Sequence, residues 1–338
     1  MDKYFLGRKI NESLFANNLG KDNRLEEGQD TPMLGTQIGD WESEQDKIDF
    51  HKNLSKDAAA LCAFVYKSNP LTKSKTYQTT NGNWYPLTND FDEIGSKLSL
   101  GSSNSNLFSQ LKGRLRRERT GFGSMLFYQK GNNGKIVRLA YVTEGSGSLS
   151  SLENQLEVNN SIDKIKNTTR VIWDRIGDWV LTNLIQGLTG LSPQHTFSIQ
   201  NAKMLNDICT KNDIKELYFF GHSLGGGLAV SNALATNRPA IVFDMAGLHL
   251  QRLIRYKSNY DSLLKQHNIL SYYYEGEALS AIGWTLIGLK HNGNRYAIEN
   301  KDTSRKDKIL MNFGLHSLDK ICVRFGLKES KISEGGPV

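Results

Sequence analysis

The chain has 338 residues, 38% of them hydrophobic, 9% aromatic and 23% charged, which excludes a disordered or fibrous protein and suffices for a sizeable core. Six prolines against 31 glycines leave no proline-rich linker, so the length reads as one main domain. The excess of 42 lysines and arginines over 35 aspartates and glutamates, a formal charge of +7, suits contact with an anionic surface without specifying one.

Cys62, Cys209 and Cys322 lack CxxC spacing and sit among apolar or helical-looking neighbours, so buried thiols formed in a reducing compartment are expected. The first nine residues, Met-Asp-Lys-Tyr-Phe-Leu-Gly-Arg-Lys, have no apolar core of a secretory signal. The longest weakly polar run, residues 278–289, is shorter than the roughly 20 residues that span a bilayer. The expectation is a protein that is cytoplasmic as synthesised, soluble or at most peripheral to a membrane, and that leaves the cell, if it does, by a route independent of a signal peptide.

In chain order, residues 1–50 are rich in Asn, Asp, Glu and Gly and read as an N-terminal arm or decoration on a domain spanning 51–338. From residue 57 a helix is expected, with Ala60, Leu61, Phe64 and Val65 on one face and an end near Tyr66. A basic stretch with Lys112, Arg114, Arg116, Arg117 and Arg119 suits either a phosphate contact or a solvated face. Because Glu118 interrupts it and no aromatic residues alternate with it, nucleic-acid binding is not expected. Residues 124–129 and 135–143 read as two strands joined by Gly131-Asn132-Asn133-Gly134, residue types that tolerate positive φ. The second strand leads into Glu144-Gly145-Ser146-Gly147.

Trp179, Leu181, Leu184, Ile185, Leu188 and Leu191 mark an amphipathic helix over 177–191. A helix at 198–209, a strand at 217–220, a helix at 225–235 and a strand at 240–243 follow. Beyond them come a helix at 250–265, a strand at 269–274, a long irregular region and a closing helix at 316–324. This alternation predicts an α/β protein with a mostly parallel central sheet and helices on both faces.

The chemistry concentrates in Gly221-His222-Ser223-Leu224-Gly225, set between an apolar strand and an apolar helix. Gly-x-Ser-x-Gly in that context is a nucleophile elbow: the glycines permit a tight crossing and the serine projects above the sheet. The amide of Leu224, at the helix N-terminus, can donate to a developing oxyanion. Serine needs a base to take its proton and a carboxylate to orient that base, in the chain order Ser, acid, His. Of the downstream histidines His249, His267, His291 and His316, His316 at the start of the closing helix is the chosen base, with His291 in a polar loop as the competitor. Glu277, in the turn after the strand 269–274, is the chosen acid, because such carboxylates lie past strand C-terminal ends. Asp244, at the end of the strand that follows the nucleophile helix, competes with it. The second oxyanion donor is expected from Ser146.

These residues resemble the class 3 lipases, the fungal-type triacylglycerol lipase family of α/β-hydrolases, whose elbow typically reads Gly-His-Ser-Leu-Gly-Gly-Ala-Leu-Ala. Residues 221–229 depart from it only by Gly227. The resemblance extends to Tyr141-Val142-Thr143-Glu144-Gly145-Ser146, where the family usually has Arg in place of Glu144. It also covers Asp178-Trp179 in a lid-like helix and the helix ending at Tyr66. It implies an α/β-hydrolase fold, a triad of Ser223, acid and His316, and hydrolysis of carboxylic esters, lipid esters foremost. The family acid is usually Asp in a Gly-Asp-Pro-Val-like turn, which Gly276-Glu277-Ala278-Leu279 resembles with Glu substituted. The wider group includes bacterial lipase effectors that lack signal peptides and attack phospholipids, so a secretion-system or immunity-protein partner belongs with that branch.

The sequence has neither HExxH nor paired cysteine spacing, so neither metal nor cofactor is expected in catalysis. The apolar faces of 179–191 and of Ile282, Trp284, Leu286, Ile287 and Leu289 read as buried core or as interfacial lids. A non-catalytic hydrolase-fold binding module and a small-ester esterase stand as alternatives to lipase or phospholipase.

Overall fold

The structure, a computed structural model, describes residues 23–25, 29–35, 41, 43–67, 77–87, 111, 114–117, 122–145, 193–248, 250–275, 293–299 and 318–327. Within them lie strands β1 (Asn23–Leu25), β2 (Tyr77–Thr79), β3 (Gly82–Pro86), β4 (Arg116–Arg117), β5 (Phe122–Lys130), β6 (Ile136–Thr143), β7 (Glu216–His222), β8 (Ala240–Phe243), β9 (Ile269–Tyr274) and β10 (Asn294–Ile298). The helices are α1 (Glu44–Lys67), α2 (Pro193–Lys211), α3 (Leu224–Thr236), α4 (Leu250–Arg255), α5 (Lys257–Lys265) and α6 (Leu318–Arg324).

One sheet runs in the order β1-β10-β9-β8-β7-β6-β5-β3-β2, with β4 paired to β5. From β6 to β1 every pairing is parallel, whereas β5 pairs antiparallel with β6, β3 and β4. The β5–β6 hairpin closes through the expected turn: Gly131 N–H donates to the Lys135 carbonyl at 2.8 Å, the Asn133 side chain accepts from Lys135 N–H at 3.0 Å, and Gly134 takes φ 74°.

Period-2 alternation divides the strands between two cores. Tyr218, Phe220, Val142, Ile241, Phe243, Leu270 and Tyr272 face α1 and α6; Leu217, Phe219, Tyr141, Val242 and Ile269 face α2, α3 and α5. Each large apolar side chain so buried contributes on the order of 1.5–3 kcal/mol relative to exposure. With a mostly parallel sheet covered on both faces and a strand–serine–helix crossing at its centre, the fold is α/β-hydrolase-like.

Several boundaries differ from the sequence reading. The division at residue 50 falls inside α1, which starts at Glu44 with Ser43 as its cap: Ser43 Oγ accepts from Asp46 N–H at 3.1 Å and donates to the Asp46 carboxylate at 2.7 Å, satisfying one of the free amides of the first turn. Part of the expected arm joins the fold, because β1 extends the sheet and Leu25 and Leu34 are buried in the α1 core. The expected helix over 250–265 is two helices broken at Tyr256, whose φ −114° and ψ 30° leave the helical region. The region read as irregular after residue 274 contains β10, in parallel register with β9 from Asn294↔Leu270 to Ile298↔Tyr274. The lid-like segments 177–191 and 278–289 lie outside the described residues.

α1 is tethered to the β3 edge by a buried contact, Trp84 Nε1–H donating to Asp57 Oδ2 at 3.0 Å. Burial pushes the Asp57 carboxyl up from 3.8 to about 7, a rise the Trp84 bond only partly offsets. Between those two values the folded chain holds a proton that the unfolded chain releases, so this group's contribution to stability falls as pH rises across that window and is constant above it. Asp57→Asn keeps an acceptor for Trp84 and removes the titration. The melting temperature of the variant relative to wild type should therefore rise between pH 5 and pH 8; parallel curves over that range would show that Asp57 does not titrate in the folded protein.

Candidate active site

Ser223 stands at the carboxyl end of β7, between its last residue His222 and the first residue of α3, Leu224. Its backbone has φ 58° and ψ −129°, a sparsely populated conformation for a residue with a side chain, costing about 1–3 kcal/mol. The surroundings hold it there. Ser223 N–H donates to the Phe243 carbonyl at 3.0 Å, and its own carbonyl accepts from Ala246 at 2.9 Å and from Gly226 at 3.0 Å.

The crossing is close enough that side chains are excluded. A Cβ on Gly221 would overlap the Gly225 carbonyl, and one on Gly225 would overlap the Thr143 carbonyl. Gly227, the departure from the class 3 pattern, has a physical reason: its Cβ would lie 2.9 Å from the Ala246 carbonyl oxygen. Thr143 fastens the same junction, its hydroxyl 2.7 Å from the Gly225 carbonyl and 3.2 Å from that of Phe220. Because Gly226 is the first amide to turn back onto the Ser223 carbonyl, the Leu224 amide belongs to the first turn of α3, where a helix offers no internal acceptor.

Parallel registry brings several strand ends to this point. Thr143 pairs with Gly221, His222 with Phe243, and Phe243 with Tyr272. The exits of β6 (Glu144 and Gly145), β7 (Ser223), β8 (Asp244) and β9 (Glu275) therefore share one edge of the sheet. Gly145 is buried against Ser223, since a Cβ there would lie 3.1 Å from Ser223 Cβ. Asp244 is fully buried with φ 38°, a backbone that Asp tolerates better than most residues. Its Oδ1 accepts from Tyr274 N–H at 3.1 Å, and its own N–H donates to the Tyr272 carbonyl at 2.8 Å, so it links the ends of β8 and β9. Arg24 of β1 forms an ion pair with Glu275 at 2.9 Å.

Of the residues singled out in the sequence, Ser223, Leu224 and Asp244 are brought together here. Ser146, Glu277, His316, His291 and His249 lie outside the described residues. Ser146 directly follows Gly145, Glu277 is two residues beyond Glu275, and His316 two residues before α6. That helix packs onto the α1 face, with the Phe325 ring 5.8 Å from Phe243 and 5.3 Å from Tyr272, and the Tyr274 hydroxyl donating to the Lys320 carbonyl at 3.0 Å.

His222 precedes the serine and is bonded through Nδ1 to the Tyr66 hydroxyl at 3.0 Å. His195 is buried between α2 and α3 with Nδ1 2.8 Å from Ser231 Oγ, and burial holds it well below its ordinary pKa. His51 is lowered to about 4 by burial and by the charges of Arg138 and Lys47. Among the described residues no cluster of three or more His, Cys, Asp or Glu could hold a metal ion, and no helix is long and apolar enough to cross a membrane. Arg114 is turned onto α2, its guanidinium 3.2 Å from Met204 Sδ and 3.4 Å from Gln200 Oε1.

Residues 164–304 match the model of a family described as Phospholipase-like, Tle-like phospholipase domain. The matched stretch, under half of the chain, contains Ser223, Asp244 and Glu277. No curated protein matches. Among solved structures, the extracellular lipase LipA from Serratia marcescens is similar at 12% identity and a TM-score of 0.33, over 73% of this chain and 42% of that one. This chain thus spans well under half the length of that lipase.

The roles of Thr143 and Tyr66 in bracing the elbow were not visible in the sequence, where the one reads as a strand terminus and the other as the end of a helix. The crossing itself gives a direct expectation. Gly225→Ala forces a Cβ into the Thr143 carbonyl, and overpacking against backbone costs roughly 1–3 kcal/mol or more. Its urea midpoint should fall accordingly, despite alanine's better helix propensity; a midpoint at or above wild type would show that the two elements are not in contact at that position.

Proposed function

We propose that this protein is a serine-dependent hydrolase of carboxylic esters, acting on lipid esters as a lipase or phospholipase through a Ser-His-acid triad and an acyl-enzyme. The observation that carries the reading is the strained Ser223 at a strand-to-helix crossing, its hydroxyl-bearing residue raised above the sheet edge and next to the first amides of α3. The phospholipase-like match over 164–304 supports lipid esters over small soluble ones. The stretch matched by the phospholipase-like model includes the Gly-x-Ser-x-Gly of residues 221–225.

In this mechanism His316 takes the Ser223 proton as Oγ attacks the ester carbonyl, and the Leu224 and Ser146 amides hold the tetrahedral oxyanion. Collapse breaks the bond to the alcohol, which leaves with the proton from His316. Water, deprotonated by His316, then attacks the acyl-serine; the carboxylic acid departs and the proton returns to Ser223. Glu277 holds the imidazole tautomer and stabilises its charged form. In this reading Asp244, whose Oδ1 accepts from Tyr274 N–H at 3.1 Å, serves to link the ends of β8 and β9, and Glu277 is the acid.

The net positive charge suits peripheral contact with an anionic membrane. Synthesis in the cytoplasm with signal-independent export, and pairing with an immunity protein, follow if the chain acts as a bacterial lipase effector.

Hydrolysis of p-nitrophenyl esters and of phospholipid vesicles should fall by several powers of ten in Ser223→Ala and His316→Ala, with circular dichroism unchanged. Glu277→Gln should lose far more turnover than Asp244→Asn, whose main effect should be on stability. Serine-independent turnover would refute the mechanism, and the reverse ranking of the two carboxylates would move the acid to Asp244.

A further inference from the structure

Tyr66 lies in the last turn of α1, with its hydroxyl set into the candidate site. The Gly145 amide donates to that oxygen at 2.9 Å, His222 Nδ1 lies 3.0 Å from it and the His222 carbonyl 3.4 Å. The two rings meet edge to face with centroids 5.6 Å apart. Gly145 is confined between this hydroxyl and the nucleophile: a Cβ on it would overlap the Tyr66 oxygen while lying 3.0 Å from the His222 carbonyl oxygen and 3.1 Å from Ser223 Cβ. A phenol offers one proton and accepts through two lone pairs. With Gly145 donating, the Tyr66 proton is directed to His222. Burial, reinforced by the nearby Glu144 carboxylate, drives the phenol well above its ordinary pKa, so it stays neutral throughout any working pH range.

Resting on the serine-hydrolase reading, we infer that Tyr66 is a positioning residue for the oxyanion site: its hydroxyl joins the Gly145 amide to His222 and thereby sets the separation between the β6 exit loop and Ser223. The Gly145 N–H is engaged by Tyr66, so in this reading it is not itself an oxyanion donor, the role proposed above for the Leu224 and Ser146 amides. Catalysis depends on such donors being in place before charge develops, and displacement of a few tenths of an ångström weakens them selectively in the transition state.

Tyr66→Phe removes the hydroxyl and keeps the ring against His222. Its kcat on a p-nitrophenyl ester should fall about 10- to 100-fold, with KM within about threefold of wild type. The inhibition constant of an alkylboronic acid, which forms a tetrahedral adduct with the serine, should rise by a factor matching the loss in kcat/KM. A merely structural hydroxyl would lower the melting temperature and leave kcat and boronate affinity unchanged. Fluorinated tyrosines at position 66 provide a second series that preserves shape while making the oxygen a poorer acceptor; kcat should decline with fluorination at constant melting temperature. Wild-type-like kcat and boronate affinity in Tyr66→Phe, or a flat response across the fluorinated series, overturns the inference while wild type remains active. A wild type with no Ser223-dependent turnover overturns the hydrolase reading and this inference with it.

Discussion

The close approach of α3 to the ends of β6 and β7 is the constraint on which the rest of the site depends. With glycine at 221 and 225, backbone meets backbone, and the chain reverses from strand to helix within one residue, Ser223. That residue bears the strain, offset by the amide of Ala246 and the carbonyl of Phe243 on either side. In the proposed mechanism the strain has a use. It raises the serine clear of the sheet and places it against the N-terminal turn of a helix, where backbone donors and the helix dipole favour developing negative charge.

A parallel sheet supplies the remaining geometry. Because β6, β7, β8 and β9 run in the same direction, their carboxyl ends all open onto one edge, and the loops leaving them meet without long excursions. The two apolar faces hold this edge rigid, with α1 and α6 on one side and α2, α3 and α5 on the other. The opposite end of the sheet is closed by charge and aromatic contacts instead. Arg138 pairs with Glu216 at 2.7 Å and lies over the rings of Trp41 and Phe50 at 4.2 and 4.3 Å. This arrangement locks the start of β6 and β7 far along the strands from Ser223.

Much of the fold was legible because the elements that form it carry strong local patterns. β5, β6, β7, β8 and β9 are apolar runs bounded by turn residues, and the glycine pattern around Ser223 identifies the crossing. The elements that escaped are those specified by distant partners. β1 is three residues long and owes its existence to a parallel pairing with β10, and β10 in turn depends on β9. Neither Asn23–Leu25 nor Asn294–Ile298 announces itself by composition. The start of α1 was hidden by polar residues whose helical fit rests on the Ser43 cap. Tyr66 likewise looked like a helix terminus, because its partners Gly145 and His222 are about 80 and 156 residues away. Asp244 shows the converse: its place at the end of β8 follows from the sequence, but the bond it makes to Tyr274 exists only through the β8–β9 registry.

The central claim is that Ser223 is an activated nucleophile, and covalent labelling tests it most directly. Wild-type protein treated with a fluorophosphonate should gain the mass of one phosphonyl group, and peptide mapping should place it on Ser223, with labelling abolished by Ser223→Ala and strongly slowed by His316→Ala. Stoichiometric modification at another residue, or no modification of folded wild-type protein under conditions that label a known serine hydrolase, would contradict the account.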